Sequence, residues 1–266
     1  MPDPVLLYEA KANGRIVVMT LNRPQALNAL NGELLDALNA AFVRFRDDDE
    51  AWAAIITGAG RAFCAGADLR EMMESDAAGQ QSGRGLERLA RKIPGPLSES
   101  LGLWKPVIGA INGFALAGGF ALAQQCDVRI AAETAEVGIP EARWNLSADW
   151  LHDLTRQIGL GHALELALWA DKRMTAQRAY EIGWVNKVVP ADKLMDEAME
   201  WAQRVVAMGP TSVRNFKEIL YRGAFLPSAE GKAFARTLEK NLLGMQDTQE
   251  GPRAFTERRA PAFKNK

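Results

Sequence analysis

Along the first 190 residues, short apolar runs alternate with stretches of helical periodicity, and this alternation restricts the chain more than any other feature. Arg15–Leu21 (RIVVMTL), Ala53–Thr57 (AAIIT), Val107–Ile111 (VIGAI) and Val128–Ala131 (VRIA) have the length of strands. Val107–Ile111 lacks polar alternation, which suits a strand covered on both faces. Between the first two runs, Leu34, Leu35, Leu38, Ala41, Phe42 and Phe45 recur at helical spacing behind Asn31, whose side chain can cap a helix. Phe120–Cys126 reads as a buried helix. Strands alternating with helices predict an α/β fold with crossover connections. Beyond Pro190 the pattern changes: Ala191–Met208, Thr211–Arg222 and Ala229–Met245 read as helices with no strand among them. The chain therefore divides into a mixed core, 1–190, and a helical region, 191–266, whose apolar faces call for burial against other copies.

Charge removes several classes of function. The 266 residues carry 32 Lys+Arg against 33 Asp+Glu, a formal net charge of −1, so no cationic field marks a binder of nucleic acid or anionic membrane. The longest apolar stretch, Val107–Ala123, is interrupted by Asn112 and several glycines and makes no clean membrane span. Met1-Pro2-Asp3-Pro4 lacks the basic and apolar regions of a secretion signal. Two cysteines, Cys64 and Cys126, are too few for a disulfide framework and fit a reducing compartment. The expectation is a cytoplasmic protein with a small-molecule ligand. Ser75–Gly85 (SDAAGQQSGRG) reads as a mobile polar loop, and Leu86–Leu103 as partly helical, interrupted by Pro94 and Pro96.

The glycine-rich segments fit no common nucleotide motif. Gly58-Ala59-Gly60-Arg61-Ala62-Phe63 begins as a dinucleotide fingerprint, but Phe63 stands where the third glycine belongs. There is no phosphate-binding GxxxxGK[ST] and no GxSxG elbow. With His152 and His162 as the only histidines, neither a Ser–His–Asp triad nor a histidine-rich metal site is supported, and His162 suits a capping or surface role. Two loops of small residues remain, Phe63–Leu69 and Gly113–Gly119, each entering a helix. Glycines after strands ordinarily serve backbone geometry alone. Small side chains also expose backbone N–H groups beside the positive end of a helix, and two such groups facing one cavity could hold an oxyanion.

These residues, taken in order, resemble the crotonase superfamily, the enoyl-CoA hydratase/isomerase family. The resemblance runs through Asn22-Arg23-Pro24-Gln25-Ala26-Leu27-Asn28-Ala29-Leu30, Gly60–Met72 (GRAFCAGADLREM), Lys105-Pro106-Val107-Ile108, Asn112–Gly119, Cys126-Asp127, Gly138-Ile139-Pro140-Glu141 and Ala254–Lys264 (AFTERRAPAFK). It implies a crotonase-like spiral of ββα units with an α-helical C-terminal trimerisation region, assembled as a homotrimer or hexamer. It implies an acyl-CoA thioester as ligand, with coenzyme A arriving as part of the substrate and no permanently bound cofactor or metal. The family's oxyanion donors map to the backbone N–H groups of Ala67 and Gly118. Its CoA contacts map to Ala26 and Leu27, to Ala65, Gly66, Asp68, Leu69 and Arg70, to Gly119, and across a subunit boundary to Phe255 and Arg258. For Arg70 a solvated helix charge, and for Phe255 a plain packing contact, are the competing readings.

The resemblance also locates a departure. Hydratases of this family use two glutamates. The one after Ile-Pro is present as Glu141, whereas the position after the paired glycines reads Ala121. Alanine transfers no proton, so standard hydration, which holds water between two carboxylates, is in doubt. One glutamate suffices to shuttle a proton between C2 and C4 of an enoyl thioester, which favours double-bond isomerisation. The alternatives are an enoyl-CoA hydratase or hydratase-lyase using a non-standard second group, with Asp149 as the candidate, and a non-catalytic acyl-CoA-binding subunit. Trp144 and Trp150 follow Glu141 where relatives carry a glycine-rich turn. They are expected to fill core space, with an acyl-pocket wall as the rival reading.

Overall fold

The computed structural model describes residues 3–71, 73–74 and 97–266. The loop expected over Ser75–Gly85, and most of the helical stretch expected over Leu86–Leu103, lie outside the described residues. Asn31 caps α1 (Gly32–Asp47) as its side chain suggests, its Oδ1 accepting from the Leu34 N–H at 3.0 Å. All six apolar positions read at helical spacing on α1 are buried.

The expected strands assemble into a six-stranded sheet. Strand β2 (Ile16–Leu21) is flanked by β1 (Leu6–Lys11) and β3 (Ala53–Gly58), followed by β5 (Val107–Ile111), β7 (Val128–Ala132) and β10 (Lys187–Val189). Every pairing is parallel except β1 with β2. A second sheet holds β4 (Ala62–Cys64), β6 (Phe114–Leu116), β8 (Glu136–Gly138) and β9 (Met174–Thr175). The strand pairs β3–β4, β5–β6 and β7–β8 each send one strand to each sheet. The chain thus winds as a spiral of ββα units, and in one unit α2 (Gly118–Gln124) carries it back to the larger sheet. The strands of the small sheet have two or three residues each, too few for a periodic pattern. Edge strand β1 was hidden by its half-exposed sequence, LLYEAK.

Buried polar side chains fix the turns between the sheets. Asn28, fully buried, donates its Nδ2 to the carbonyls of Ala59 at 2.9 Å and Ala62 at 2.7 Å, while its Oδ1 accepts from the Arg23 N–H at 2.9 Å. Asn112 acts in the same way one turn along, donating to Gly60 O at 2.9 Å and accepting from the Gly58 N–H at 3.2 Å. Arg129, buried, spends its guanidinium on main-chain carbonyls, including Cys126 O at 2.8 Å.

The helical region begins where composition places it, yet its first helix is a layer of the core and not a detached arm. Helix α3 (Leu194–Val206) lies against β3, β5 and β7 and buries Leu194, Ala198, Ala202 and Val206, four positions spaced by four residues. Helix α4 (Pro210–Glu218) is tied to the core by Lys217, whose Nζ donates to Asp127 Oδ2 at 2.9 Å and to Lys105 O at 3.0 Å. It widens into one π-helical turn over Ile219–Gly223. The chain continues through α5 (Ser228–Glu239) and α6 (Gln246–Thr256). Large apolar side chains that stay exposed include Phe216, Leu220, Phe225, Leu226, Leu243 and Phe255, all beyond α3. Among the described residues, no helix is long and apolar enough to cross a membrane.

Asn28→Ala orphans the Arg23 N–H and the Ala59 carbonyl at once, while the Ala62 carbonyl keeps its bond from Asn112 Nδ2 at 3.2 Å. Each buried orphan costs roughly 1–3 kcal/mol, so denaturant unfolding should show a loss of about 3 kcal/mol. A loss under about 1 kcal/mol would mean the turn relaxes and hydrates its freed groups.

Candidate active site

The two small-residue loops meet because glycine permits the approach. Gly66 has φ +98°, and a Cβ there would lie 2.6 Å from Ala117 Cβ and 3.3 Å from the Gly118 nitrogen. A Cβ on Gly119 would lie 2.1 Å from the Cys64 carbonyl oxygen. The end of β4 and the start of α2 are therefore in backbone contact, and no larger residue fits at either point without a shift. Ala117, just ahead of α2, holds φ 54° and ψ −127°, a region that side chains with a Cβ rarely occupy. Its N–H donates to Gly138 O at 3.0 Å, which ties the start of α2 to β8.

This geometry brings Ala67 and Gly118 to the border of one space. Leu30 pairs with Ala67 in a parallel bridge, through Leu30 N–H to Gly66 O at 2.8 Å and Asp68 N–H to Leu30 O at 3.0 Å. In such a bridge the flanking residues make both bonds, so the N–H of Ala67 itself points to the opposite side. Gly118 occupies the first turn of α2, where N–H groups have no intrahelical acceptor. Ala67 and Gly118 both line a cavity of about 590 Å³.

Glu141 lines the same cavity. It stands in a short 3-10 turn, Pro140–Trp144, which Pro140 starts directly after β8. Its Oε2 is buried with no hydrogen-bond partner, and burial raises its carboxyl above the ordinary value, opposed by a bond from its own N–H. A carboxylate with a raised pKa in a cavity is equipped to take and return a proton. Ala121 also lines this space, one helical turn beyond Gly118, so α2 presents no carboxylate here.

The remaining expected residues separate into groups. Ala65 and Leu69 line the cavity. Gly66 and Gly119 serve the close approach of the loops. Asp68 is engaged locally: its Oδ2 meets Arg23 Nη2 at 3.1 Å and its Oδ1 accepts from the Arg70 N–H at 3.2 Å. Ala26 and Leu27 lie in the turn that Arg23 and Asn28 hold, Leu27 at φ 51° and next to Ala65, whose N–H donates to Leu27 O at 3.0 Å. The Arg70 side chain is exposed. Phe255, at the end of α6, is 85% exposed, and neither it nor Arg258 is among the cavity residues.

Trp144 departs from the expected role in core filling. It is 59% exposed and forms part of the cavity wall, because the 3-10 turn after Pro140 directs it outward. Trp150 does both jobs: it stacks on Phe120 with centroids 5.8 Å apart and also faces the cavity. Asp149 lines the cavity and is exposed. His152 is a cavity residue that sequence reasoning passed over, paired with Asp153 at 3.2 Å, whereas His162 pairs with Glu165 at 3.5 Å on the surface. Leu220, Tyr221 and Phe225 close a further wall. Periodicity places Leu220 and Tyr221 on a helix but carries no information on what that helix covers, and Phe225 stands in the turn beyond it.

The fold and cavity described above are those of a crotonase-fold enzyme. The family model described as enoyl-CoA hydratase/isomerase matches residues 11–266. A probable enoyl-CoA hydratase of Rhizobium meliloti (strain 1021) is 36% identical over 275 residues, covering 100% of both chains. A carnitinyl-CoA dehydratase of Salmonella typhi is 37% identical over 261 residues, 96% of this chain and 97% of that one. The crystal structure of an enoyl-CoA hydratase from Bacillus anthracis superposes with a TM-score of 0.90 at 33% identity, over 98% of this chain and 100% of that one. The chain belongs to the enoyl-CoA hydratase/isomerase family and is an enzyme of that family.

The environment of Glu141 has a consequence for stability. Its folded pKa lies above the ordinary value of 4.5, so the folded protein holds this proton more firmly than the unfolded chain. That stabilisation is complete below the ordinary value and is lost as pH rises through the folded pKa. Glu141→Gln removes this dependence. The melting temperature of the variant minus that of wild type should therefore increase from about pH 4 to about pH 8. A flat difference would mean that Glu141 is solvated when folded.

Proposed function

We propose that this enzyme processes an enoyl-CoA thioester through an enolate, with Glu141 as the single acid/base, and that it isomerises double bonds in preference to hydrating them. The observation that carries this reading is one cavity lined by Glu141, Ala67, Gly118 and an alanine at position 121.

In this mechanism the thioester carbonyl sits between the two N–H groups. Glu141 removes a proton from C2 of a 3-enoyl thioester, and the electron pair delocalises onto the carbonyl oxygen. Donors already in place favour that charge, each by about 3 kcal/mol in comparable sites. The protonated Glu141 then returns its proton at C4, which moves the double bond to C2–C3 and restores the carboxylate. Burial suits both halves of the cycle, since it brings the carboxyl closer to the pKa that a shuttle needs. Coenzyme A enters as part of the substrate and no resident cofactor takes part. Ala26, Leu27, Ala65, Asp68, Leu69 and Arg70 form the wall assigned to the CoA portion, with Gly66 and Gly119 setting the backbone path.

Phe255 and Arg258 complete that site from a neighbouring subunit in a homotrimer or hexamer. The exposed apolar side chains beyond α3 support such an assembly, since faces of this kind need burial. The division at residue 190 then separates the spiral from the assembly region, with α3 shared by both. The buried thiols of Cys64 and Cys126, raised to about 12 by burial, suit a reducing compartment such as the cytoplasm. A second reading, hydration with Asp149 as the added acid, draws support from the place of Asp149 in the cavity wall and from relatives named as hydratases.

Three variants test the chemistry. Wild type should convert a 3-enoyl-CoA to its 2-enoyl isomer while hydrating crotonyl-CoA slowly, and Glu141→Gln should abolish both. Ala121→Glu should raise hydration, provided it folds, within the roughly 10²–10⁴-fold that one general acid or base supplies. Fast hydration by wild type that Asp149→Asn removes would decide for the second reading.

Light scattering at micromolar concentration should give a trimer or hexamer. A monomer would leave Phe255 and Arg258 without a site to serve.

A further inference from the structure

The cavity continues past the reacting centre to a polar end that the proposed chemistry does not use. Gly118, Ala121 and Gln124 follow one another at three-residue spacing on α2, and all three line it. With a rise of 1.5 Å per residue, Gln124 lies about 9 Å along the helix from the proposed carbonyl site. A crotonyl group falls well short of that. Gln124 is 5% exposed, and its Nε2 donates to Trp150 O at 3.2 Å. Gln157, beside it, donates its Nε2 to the Gln124 carbonyl at 3.1 Å. Both side chains are thereby held in place, and the Oε1 of each is buried without a partner. Turning the Gln124 amide over would set its oxygen against the Trp150 carbonyl that its Nε2 now serves.

Among the described residues, the cations near this end are already committed. Lys217 bonds Asp127, Arg129 bonds main-chain carbonyls, and Arg156 pairs with Asp153 at 3.0 Å. The Tyr221 hydroxyl donates to Asp127 Oδ1 at 3.0 Å. The unpaired buried amide oxygens of Gln124 and Gln157 are acceptors, which suit a neutral donor and disfavour a carboxylate.

We propose that Gln124 and Gln157 form a specificity site for a hydroxyl group on the acyl chain, so that the preferred thioester is longer than crotonyl and hydroxylated toward its far end. This inference rests on the acyl-CoA reading given above. A hydroxyl donates to one amide oxygen and satisfies a buried acceptor that an alkyl chain leaves unpaired. Sites built this way reject the analogue lacking the hydroxyl more strongly than an apolar pocket rejects a chain of the wrong length. A water resting on the amides would be displaced by the hydroxyl, which reproduces its bond, and not by a methyl group.

The test is calorimetric binding of saturated thioesters, which undergo no turnover. Hexanoyl-CoA is compared with 6-hydroxyhexanoyl-CoA, and octanoyl-CoA with 8-hydroxyoctanoyl-CoA, with butyryl-CoA as the reference for the CoA site. At one of the two lengths the hydroxylated thioester should bind wild type about tenfold more tightly than its partner. That ratio should fall to about one in Gln124→Leu, with Gln157→Leu as the second variant if thermal melting finds the first unfolded. Equal binding within both pairs, with butyryl-CoA bound, overturns the hydroxyl site and leaves the acyl-CoA reading standing. So does a preference that survives in a folded glutamine variant. Failure of wild type to bind any of the five thioesters overturns both.

Discussion

The backbone contact between the end of β4 and the start of α2 is the constraint on which the cavity depends. Gly66 faces Ala117 and Gly118 at a distance that excludes a side chain, and Gly119 does the same against the Cys64 carbonyl. That contact sets the spacing between Ala67 and Gly118, which lie about fifty residues apart in the sequence. The strained Ala117 conformation belongs to the same junction, held by the bond from its N–H to Gly138 and by the β4–β6–β8 pairings around it. Strain of this kind persists only where neighbouring structure fixes it from several directions.

The spiral supplies the remaining parts in register. Because β4, β6 and β8 pair in parallel, the loops leaving their C-terminal ends emerge on one side of the small sheet. The first delivers Ala67, the second Gly118, and the third Pro140 and Glu141. Asn28, Asn112 and Arg129 hold this arrangement from behind by bonding the carbonyls of the turns. The chemistry stays on the backbone and one carboxylate. The walls, made of Leu97, Trp144, Leu146, Trp150 and the segment from Leu220 to Phe225, are free to set which acyl group fits.

Glu141 and Ala121 together narrow the chemistry. A carboxyl with one oxygen buried and unpartnered retains its proton at higher pH than a solvated one, because burial penalises the charged form. An alanine one turn beyond Gly118 leaves α2 without a proton carrier in the cavity. In the proposed mechanism, reaction type turns on a single side chain while the backbone junction is kept, as expected when function resides in a site grafted on a shared fold.

Much of this was legible in the sequence, for identifiable reasons. The buried strands β2, β3, β5 and β7 are continuous apolar runs, and α1 has a capping asparagine and six core positions at helical spacing, so local chemistry alone specifies them. The ordered motifs around Asn28, Gly66, Gly118 and Glu141 specify the family. The strands of the small sheet were not legible, because two or three residues carry no period and their pairing is non-local. Nor was the outward path of Trp144, which a 3-10 turn decides, or the arrival of Tyr221 and Phe225 at the cavity from the far end of the chain. Gln124 reads as one more residue of a buried helix. Only the packing of Trp150 against it consumes its amide nitrogen and leaves its oxygen unpaired, because hydrogen-bond satisfaction in a core belongs to the tertiary structure and not to the residue.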